Sequence, residues 1–243
     1  MNEKFDGQLE VSLVFPAYNE AGRITWAVER AIEALKEVTR SYEIIIAEDG
    51  STDETDKIAS SLSRKYPFVR HIHNDKRLGK GKAVREASKK AKGEIIVCMD
   101  VDLATNMKHL RELIQAVRDG WDFAIGSRLL PESKTERRIS RTIASLAYNF
   151  MVRLFFRTGI SDHQCGFKAF SRSAFLLILD DWKSEHLFWD TEILVKALRK
   201  GFKIKEIPVE WREQGGTKVK LFKDSFKMGF QVFKLWLELK RKR

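Results

Sequence analysis

Cysteine is nearly absent. Cys98 and Cys165 are the only two in 243 residues, and no metal-ligand spacing connects them. A disulfide-stapled scaffold and a cysteine metal finger are therefore excluded, and the pair reads as free thiols of a reducing compartment. Proline is equally scarce at 4 residues and glycine stops at 14, which excludes collagen-like repeats and low-complexity linkers. Long apolar runs are missing too. The longest, Ala174–Leu179, falls far short of the ~20 residues that cross a bilayer. The opening MNEKFDGQLE is polar and carries no signal-peptide pattern. A soluble, cytoplasmic chain is expected, and 43% hydrophobic residues are enough to build a sizeable core.

Positive charge is plentiful, and its placement matters more than its total of +11. From Lys218 to Arg243 there are nine basic and two acidic residues, and from Arg128 to Arg157 seven basic and two acidic. The remainder is close to neutral. Such a distribution implies an anionic partner approached from one side: a phosphorylated lipid, a membrane surface or a nucleic acid.

The first half alternates in period. Val11–Ala17, Glu43–Glu48, Val69–Asn74, Glu94–Asp100 and Trp121–Arg128 are short, β-branched and mostly apolar, as strands are. Between them, Arg23–Thr39, Thr52–Lys65, Lys80–Ala91 and Met107–Asp119 carry apolar stripes at helical spacing. This βαβ rhythm predicts an α/β fold with a mostly parallel sheet and helices on both faces. Beyond Arg128, the expected elements are a helix over Ile139–Thr158, a strand around Gln164–Ser171, helices at Arg172–Leu179 and Asp190–Lys200, and a strand over Lys203–Trp211. No internal repeat or linker splits off another domain.

Ligands of such sheets bind beyond the carboxyl ends of the strands. There the first strand leads into Pro16-Ala17-Tyr18-Asn19-Glu20, the second into Glu48-Asp49-Gly50-Ser51, the fourth into Asp100-Val101-Asp102 and the fifth into Gly126-Ser127-Arg128. Asp100 and Asp102, two residues apart, share a side of an extended chain and repel one another unless a cation intervenes. Their hard oxygens suit Mg²⁺ or Mn²⁺. Asp49 faces the crevice, where it can accept a hydrogen bond from a base N–H, or else it forms an Asx-turn before a helix capped by Thr52 or Asp53. Leu78-Gly79-Lys80-Gly81-Lys82 lacks the phosphate-loop order, although a helix start rich in glycine and lysine can hold an anion. His71 and His73 flank Ile72 and read as polar strand residues rather than ligands, and Cys98 reads as core.

Taken in order, PAYNE (16–20), EDGSTDET (48–55), RLGKGKA (77–83), MDVDLAT (99–105) and GSR (126–128) resemble the family 2 glycosyltransferases. That resemblance implies the GT-A fold and inverting transfer from a nucleotide-sugar donor. It assigns Pro16, Ala17, Tyr18, Glu20 and Asp49 to the nucleoside pocket, with Lys80 on the donor side. Asp100 and Asp102 become the D-x-D metal pair, with Asp102 the better ligand.

The second half is similar to the polyprenyl-phosphate hexose synthases. Arg137–Arg153 resembles their interface helix, which implies that Arg141 and Ser145, with Arg128 nearby, hold the lipid phosphate. Ser161–Phe170 resembles their GFK segment. Val209–Lys218 resembles the closing segment, which implies that Arg212 and Lys218 reach the donor phosphates. Where the mannose synthases place a glutamine after D-x-D, this chain has Ala104. The Ala-Thr there, with QCGFK, is closer to the dolichyl-phosphate glucosyltransferases, so UDP-glucose is the expected donor and GDP-mannose the alternative.

A phosphate acceptor is already ionised and needs cations more than a base, and the basic stretch holding Arg128, Arg137, Arg138 and Arg141 supplies them. A sugar hydroxyl acceptor needs a general base, for which Asp190 and Asp162 are the candidates, though either residue can equally cap a helix. Leu221–Leu239 places Phe222, Phe226, Phe230, Phe233 and Leu237 on one face among lysines. This basic amphipathic helix suits an anionic membrane interface or packing on the domain, or both. The expected organisation is thus a catalytic domain over residues 1–218 and an interfacial helix over 219–243, peripheral to the cytoplasmic face. The interface helices or a membrane partner protein would supply the anchor. A nucleic-acid-binding protein is disfavoured, because the basic residues accompany a Phe/Leu stripe and no nucleic-acid module is present.

Overall fold

The structure, a computed structural model, describes residues 9–214 and 221–241, the side chains of 221–226 excepted. The elements in order are β1 (Val11–Ala17), α1 (Ile24–Val38), β2 (Tyr42–Glu48), α2 (Thr55–Lys65), β3 (Val69–Ile72), α3 (Lys80–Lys89), β4 (Ile95–Cys98), α4 (Leu110–Arg118) and β5 (Phe123–Ser127). There follow β6 (Lys134–Glu136), α5 (Ile139–Phe156), β7 (Lys168–Ser171), α6 (Arg172–Leu179), α7 (Trp189–Arg199), β8 (Ile204–Pro208), β9 (Glu210–Arg212) and α8 (Leu221–Arg241).

Seven strands form one sheet in the order β3-β2-β1-β4-β7-β5-β8. All neighbours are parallel except β7, which runs antiparallel to both β4 and β5. The strands read as continuous apolar runs because both faces are covered. Leu13, Phe15, Ile44 and Val97 pack under α1, α2 and α4. Val14, Ile45, Ile96, Phe123 and Phe170 pack under α3, α6 and α7. A third cluster joins Tyr148 and Val152 of α5, Val195 of α7, and Met228, Val232, Leu235 and Leu239 of α8.

The strand expected over Lys203–Trp211 is divided. β8 ends at Pro208, which has no N–H to donate, and the chain resumes as β9 beside β6 in a two-stranded parallel ribbon. Both cysteines are buried and free. No helix among the described residues is long and apolar enough to cross a membrane.

Candidate active site

β1 and β2 run in register so that Ala17 lies opposite Glu48, and the segments beyond them leave the sheet side by side. Asn19 takes a positive φ of 54° and joins the two. Its N–H donates to Ser51 Oγ (3.0 Å), its Nδ2 to Thr52 Oγ1 (3.1 Å), and its Oδ1 accepts the Thr52 N–H (2.8 Å). The Glu20 N–H donates to Thr55 Oγ1 at 2.7 Å, and the Asp53 carboxylate accepts the Thr55 N–H at 2.9 Å. Pro16 is half-buried and Ala17 buried. The Tyr18 ring carries the Arg77 guanidinium 3.9 Å from its centroid. The PAYNE and EDGST segments are thus one wall.

Asp49 reaches past this wall instead of closing a turn within it. Its Oδ1 accepts the Leu78 N–H (2.6 Å) and its Oδ2 the Gly79 N–H (2.9 Å), in a buried position where desolvation raises its pKa. Gly50 (φ +65°) makes the approach possible: a Cβ there would sit 2.7 Å from the Arg77 nitrogen. Asp49 therefore fixes the start of α3, and with it Lys80.

Lys80 Nζ lies 2.6 Å from Asp100 Oδ1. Burial works to lower the lysine's pKa, but the Asp100, Asp190 and Asp102 charges outweigh it, and the group stays cationic. Asp102 is less compensated: burial, and then the Asp100 charge, push its pKa up, although its Oδ1 accepts the Ala104 N–H at 3.1 Å. Gly166 abuts the other Asp100 oxygen, 2.3 Å from where a Cβ would stand. Between the carboxylates and Thr105, Gly166 and Trp211 lies a hollow of about 20 Å³, enough for one small ion. An all-oxygen donor set with residual anionic repulsion and room for an ion fits a hard divalent cation. Beside it opens a cleft of about 500 Å³ lined by Trp26, Leu103, Lys134, Trp211 and Arg212, among others. A cleft of about 550 Å³ between α5, α7 and α8 has no carboxylate among the described residues of its lining.

The two candidate bases occupy different settings from those their sequence contexts imply. Asp162 is fully buried, and four donors fill its oxygens: Arg128 Nε (2.6 Å), Nη2 (2.9 Å) and backbone N–H (3.1 Å), and the Gln164 N–H (3.0 Å). Burial alone would raise its pKa, but Arg128 holds it far below the usual carboxylate range. It neither caps a helix nor offers a lone pair for proton abstraction; it aims Arg128. Asp190, in the first turn of α7, is paired in the interior with Lys168 of β7 at 2.5 Å. Burial pushes its carboxyl up, against the opposing Lys168 and Lys80 charges.

The expected phosphate-binding groups are also distributed unevenly. Arg128 spends its fork on Asp162 and stands 5.6 Å from the Trp211 ring centroid, which links it to the D-x-D hollow. Arg141 pairs with Glu213 at 3.2 Å, and Ser145 is buried beside Asn149. Arg212 is exposed and pairs with Glu136 at 3.1 Å. Lys218 lies outside the described residues. Arg137, one of the four arginines expected to supply cations to the acceptor phosphate, is half-buried, and among the described residues no carboxylate pairs with it. Its guanidinium donates to Thr142 Oγ1 (3.1 Å) and the Arg141 carbonyl (3.0 Å). Burial, and then the Arg128 charge, lower its pKa to about 10. His71 and His73 are not isolated strand residues either: they converge with Glu48 and Asp56.

The family model described as "Glycosyl transferase family 2" matches residues 12–178, which hold the PAYNE–EDGST wall, the D-x-D pair, Arg128, Arg137 and Asp162. The chain belongs to this family. Relatives within it include glycosyltransferase AglD of Haloferax volcanii, 47% identical over 95% of this chain and 38% of that protein. The dolichyl-phosphate beta-glucosyltransferases of Saccharomyces cerevisiae and Homo sapiens are 35% and 34% identical, over 92% and 90% of this chain and 73% and 72% of theirs. The chain thus spans well under half of AglD and about three quarters of the eukaryotic relatives. Among solved structures, glucosyl-3-phosphoglycerate synthase of Mycobacterium tuberculosis, in complex with Mn²⁺ and UDP-glucose, superimposes with a TM-score of 0.67 at 18% identity, covering 95% of this chain and 78% of that one. At that identity the likeness establishes the GT-A fold alone. Asp190, Arg212 and α8 lie beyond the part matched to glycosyl transferase family 2.

Proposed function

We propose that this family 2 glycosyltransferase transfers a hexose, with inversion, from a nucleotide sugar to the phosphate of a polyprenyl lipid of the dolichyl type, at the cytoplasmic face of a membrane. Arg137 carries the reading: a half-buried guanidinium with no paired carboxylate among the described residues, just before α5, is a site for an anion. α5 then leads away from it with Ile139, Ile143, Leu146, Phe150 and Leu154 exposed at steps of three and four residues, so they form one stripe. Phe230, Phe233 and Leu237 of α8 are exposed as well. Phosphate-binding charge beside a wide apolar stripe suits a phosphorylated lipid entering from a bilayer. The catalytic domain over 1–218 and the helix over 219–243 would share that surface, which provides peripheral attachment without a spanning helix; a membrane partner protein would add to it.

The relatives named for dolichyl-phosphate glucosyl transfer favour glucose, and hence UDP-glucose, over GDP-mannose. Pro16, Ala17, Tyr18, Glu20 and the Asp49-held loop would line the nucleoside. Asp100 and Asp102 would hold Mg²⁺ or Mn²⁺, which as a Lewis acid stabilises the departing nucleoside diphosphate. Lys80 keeps Asp100 ionised and oriented, and Arg212 and Lys218 would close over the diphosphate. Arg137, with Arg141 and Ser145, would hold the acceptor phosphate, and Arg128, fixed by Asp162, supplies the positive wall behind it. The acceptor's second ionisation, near pH ~6, makes it a nucleophile without an enzyme base.

The test is transfer of label into organic-extractable lipid from radiolabelled UDP-glucose and GDP-mannose in parallel, with dolichyl phosphate and Mg²⁺ or Mn²⁺. Label from UDP-glucose, lost in Asp102→Ala at every metal concentration, is expected. No labelled lipid from either donor, while UDP-glucose still binds, would overturn the acceptor.

A further inference from the structure

At the carboxyl end of the β2–β3 pair, away from the D-x-D turn, four ligating side chains meet: Glu48 at the end of β2, Asp56 in the first turn of α2, His71 on β3 and His73 just beyond it. One ligand atom from each lies within 4.8 Å of every other. His71 and His73 are two residues apart on an extended segment and so project to the same side. We propose that these four residues form a second metal site, for a transition ion of the Zn²⁺ class, separate from the proposed donor-bound cation.

The distances are those of a site drawn together around a proton. His73 Nδ1 lies 2.6 Å from Glu48 Oε2 and 3.1 Å from Asp56 Oδ1, and His71 Nε2 lies 3.4 Å from the same Asp56 oxygen. Tetrahedral Zn²⁺ with bonds of about 2.0–2.1 Å separates its ligand atoms by roughly 3.3 Å. Two of the three separations are already near that value, and the third needs to open by a fraction of an ångström. A metal ion would take the place of the proton on His73 Nδ1. Its other nitrogen, Nε2, lies 3.3 Å from Asp75 Oδ1, the outer carboxylate that orients a metal-bound histidine. His71 Nε2 is buried and makes no hydrogen bond among the described residues, so it can serve as the unprotonated, ligating nitrogen of a neutral imidazole. Asp56 and His73 are exposed on one side, which leaves an entry path.

Ligand chemistry selects the ion. Two imidazoles with two carboxylates suit Zn²⁺ or its Co²⁺ and Ni²⁺ neighbours, whereas Mg²⁺ prefers oxygen alone. The location gives the site a consequence. The second Glu48 oxygen accepts the Ser51 N–H at 2.5 Å, and Ser51 Oγ in turn holds the Asn19 N–H. An ion here would tie the edge strand and α2 to the loop that forms the PAYNE-side wall. The proposal stands independently of which sugar or acceptor the enzyme uses.

The test is Zn²⁺ and Co²⁺ titration of the chelator-stripped full chain, by calorimetry and visible absorption, in an Asp102→Asn background that weakens the other site. One equivalent of Zn²⁺, an intense tetrahedral Co²⁺ spectrum and a raised Tm on metal addition are expected. The His71→Ala/His73→Ala variant should lose that equivalent. Asp56→Asn, at a half-exposed carboxylate whose change leaves the core intact, should weaken binding at least tenfold. Equal Zn²⁺ affinity in the parent and in Asp56→Asn, no bound equivalent in the parent, or displacement of Zn²⁺ by Mg²⁺ of equal affinity would each overturn the site.

Discussion

Lys168 Nζ lies 2.5 Å from Asp190 Oδ1 where both side chains are buried, close enough to the Lys80–Asp100 pair for the charges to act on one another. β7 places the lysine between β4 and β5, opposite Cys98 on one side and Ile125 on the other. Its Nζ also donates to the Cys165 carbonyl, so the ammonium is solvated by protein alone. Such a pair is costly to break and cheap to replace as a unit, because removing one member leaves a buried charge uncompensated.

Asp190→Asn and Lys168→Met should each destabilise the fold by about 3–5 kcal/mol in urea denaturation. The double change Lys168→Met/Asp190→Leu should recover most of that loss. The same double variant separates structure from chemistry. With a phosphate acceptor, the acid limb of its pH–rate profile should persist near pH ~6, since it belongs to the acceptor. Disappearance of that limb would make Asp190 the base and the acceptor a hydroxyl.

Arg137 precedes α5 and Arg141 lies in its first turn, and the two differ in what they already hold. Arg141 has Glu213, whereas the half-buried Arg137 donates only to a hydroxyl and a carbonyl among the described residues. Losing a charge-assisted bond to phosphate costs about 1.5–3 kcal/mol. Arg137→Gln should therefore raise the KM for dolichyl phosphate roughly 10–100-fold with the donor KM unmoved, and Arg141→Gln should do less. Glu213→Gln, which frees Arg141, should lower the acceptor KM. Steady-state kinetics in detergent, varying each substrate in turn, distinguishes these outcomes.

Ile143, Phe150 and Leu154 are more than 60% exposed on a single face of α5. Changing all three to serine should leave Tm almost unaltered, since exposed positions away from special contacts shift stability by about 0.5 kcal/mol or less. Flotation with anionic vesicles should fall sharply, as each large apolar side chain contributes on the order of 1–3 kcal/mol when buried in lipid. Transfer to a short, soluble prenyl phosphate should survive. Raised salt should weaken vesicle binding of the parent protein through screening of its lysines.

Much of this was legible in the residues, for identifiable reasons. Val11–Ala17 and Arg172–Leu179 are bounded as the periodicity predicts, because each switches cleanly from apolar to turn or charged composition. The helices of the first half begin or end within a few residues of expectation. The direction of β7 was not legible: a strand buried on both faces has the same composition either way. β6, with the sequence KTE, has no apolar signal, and only the pairing with Glu210–Arg212 makes it a strand. The D-x-D pair could be found because both residues share one short segment. Asp162 with Arg128, and the four ligands from Glu48 to His73, are joined only by the fold, and no spacing rule connects partners that far apart. Arg137 was one arginine among several until the fold showed that no carboxylate among the described residues pairs with it.

His163 supplies a prediction about acid stability. It is buried, and its ring satisfies both nitrogens as a neutral imidazole: Nδ1 donates to Asn149 Oδ1 at 2.8 Å, and Nε2 accepts from Thr158 Oγ1 at 3.0 Å. Together these bonds tie the Asp162 loop to α5. Burial lowers its pKa to about 3, against the opposing Asp162 charge, whereas in the unfolded chain it titrates near 6.5. Between those values the unfolded chain binds a proton that the folded chain refuses, so stability is fully present above pH ~6.5 and falls as the pH is lowered through the window. From pH 7 to pH 4.5 the loss from this residue should reach roughly 2–3 kcal/mol. His163→Gln should be less stable than the parent at neutral pH, and the gap should narrow by that amount at pH 4.5. Urea unfolding of both proteins at the two pH values measures it; a gap independent of pH would mean that the imidazole is protonated in the fold, and the Asn149–His163–Thr158 bridge would then have to be redrawn.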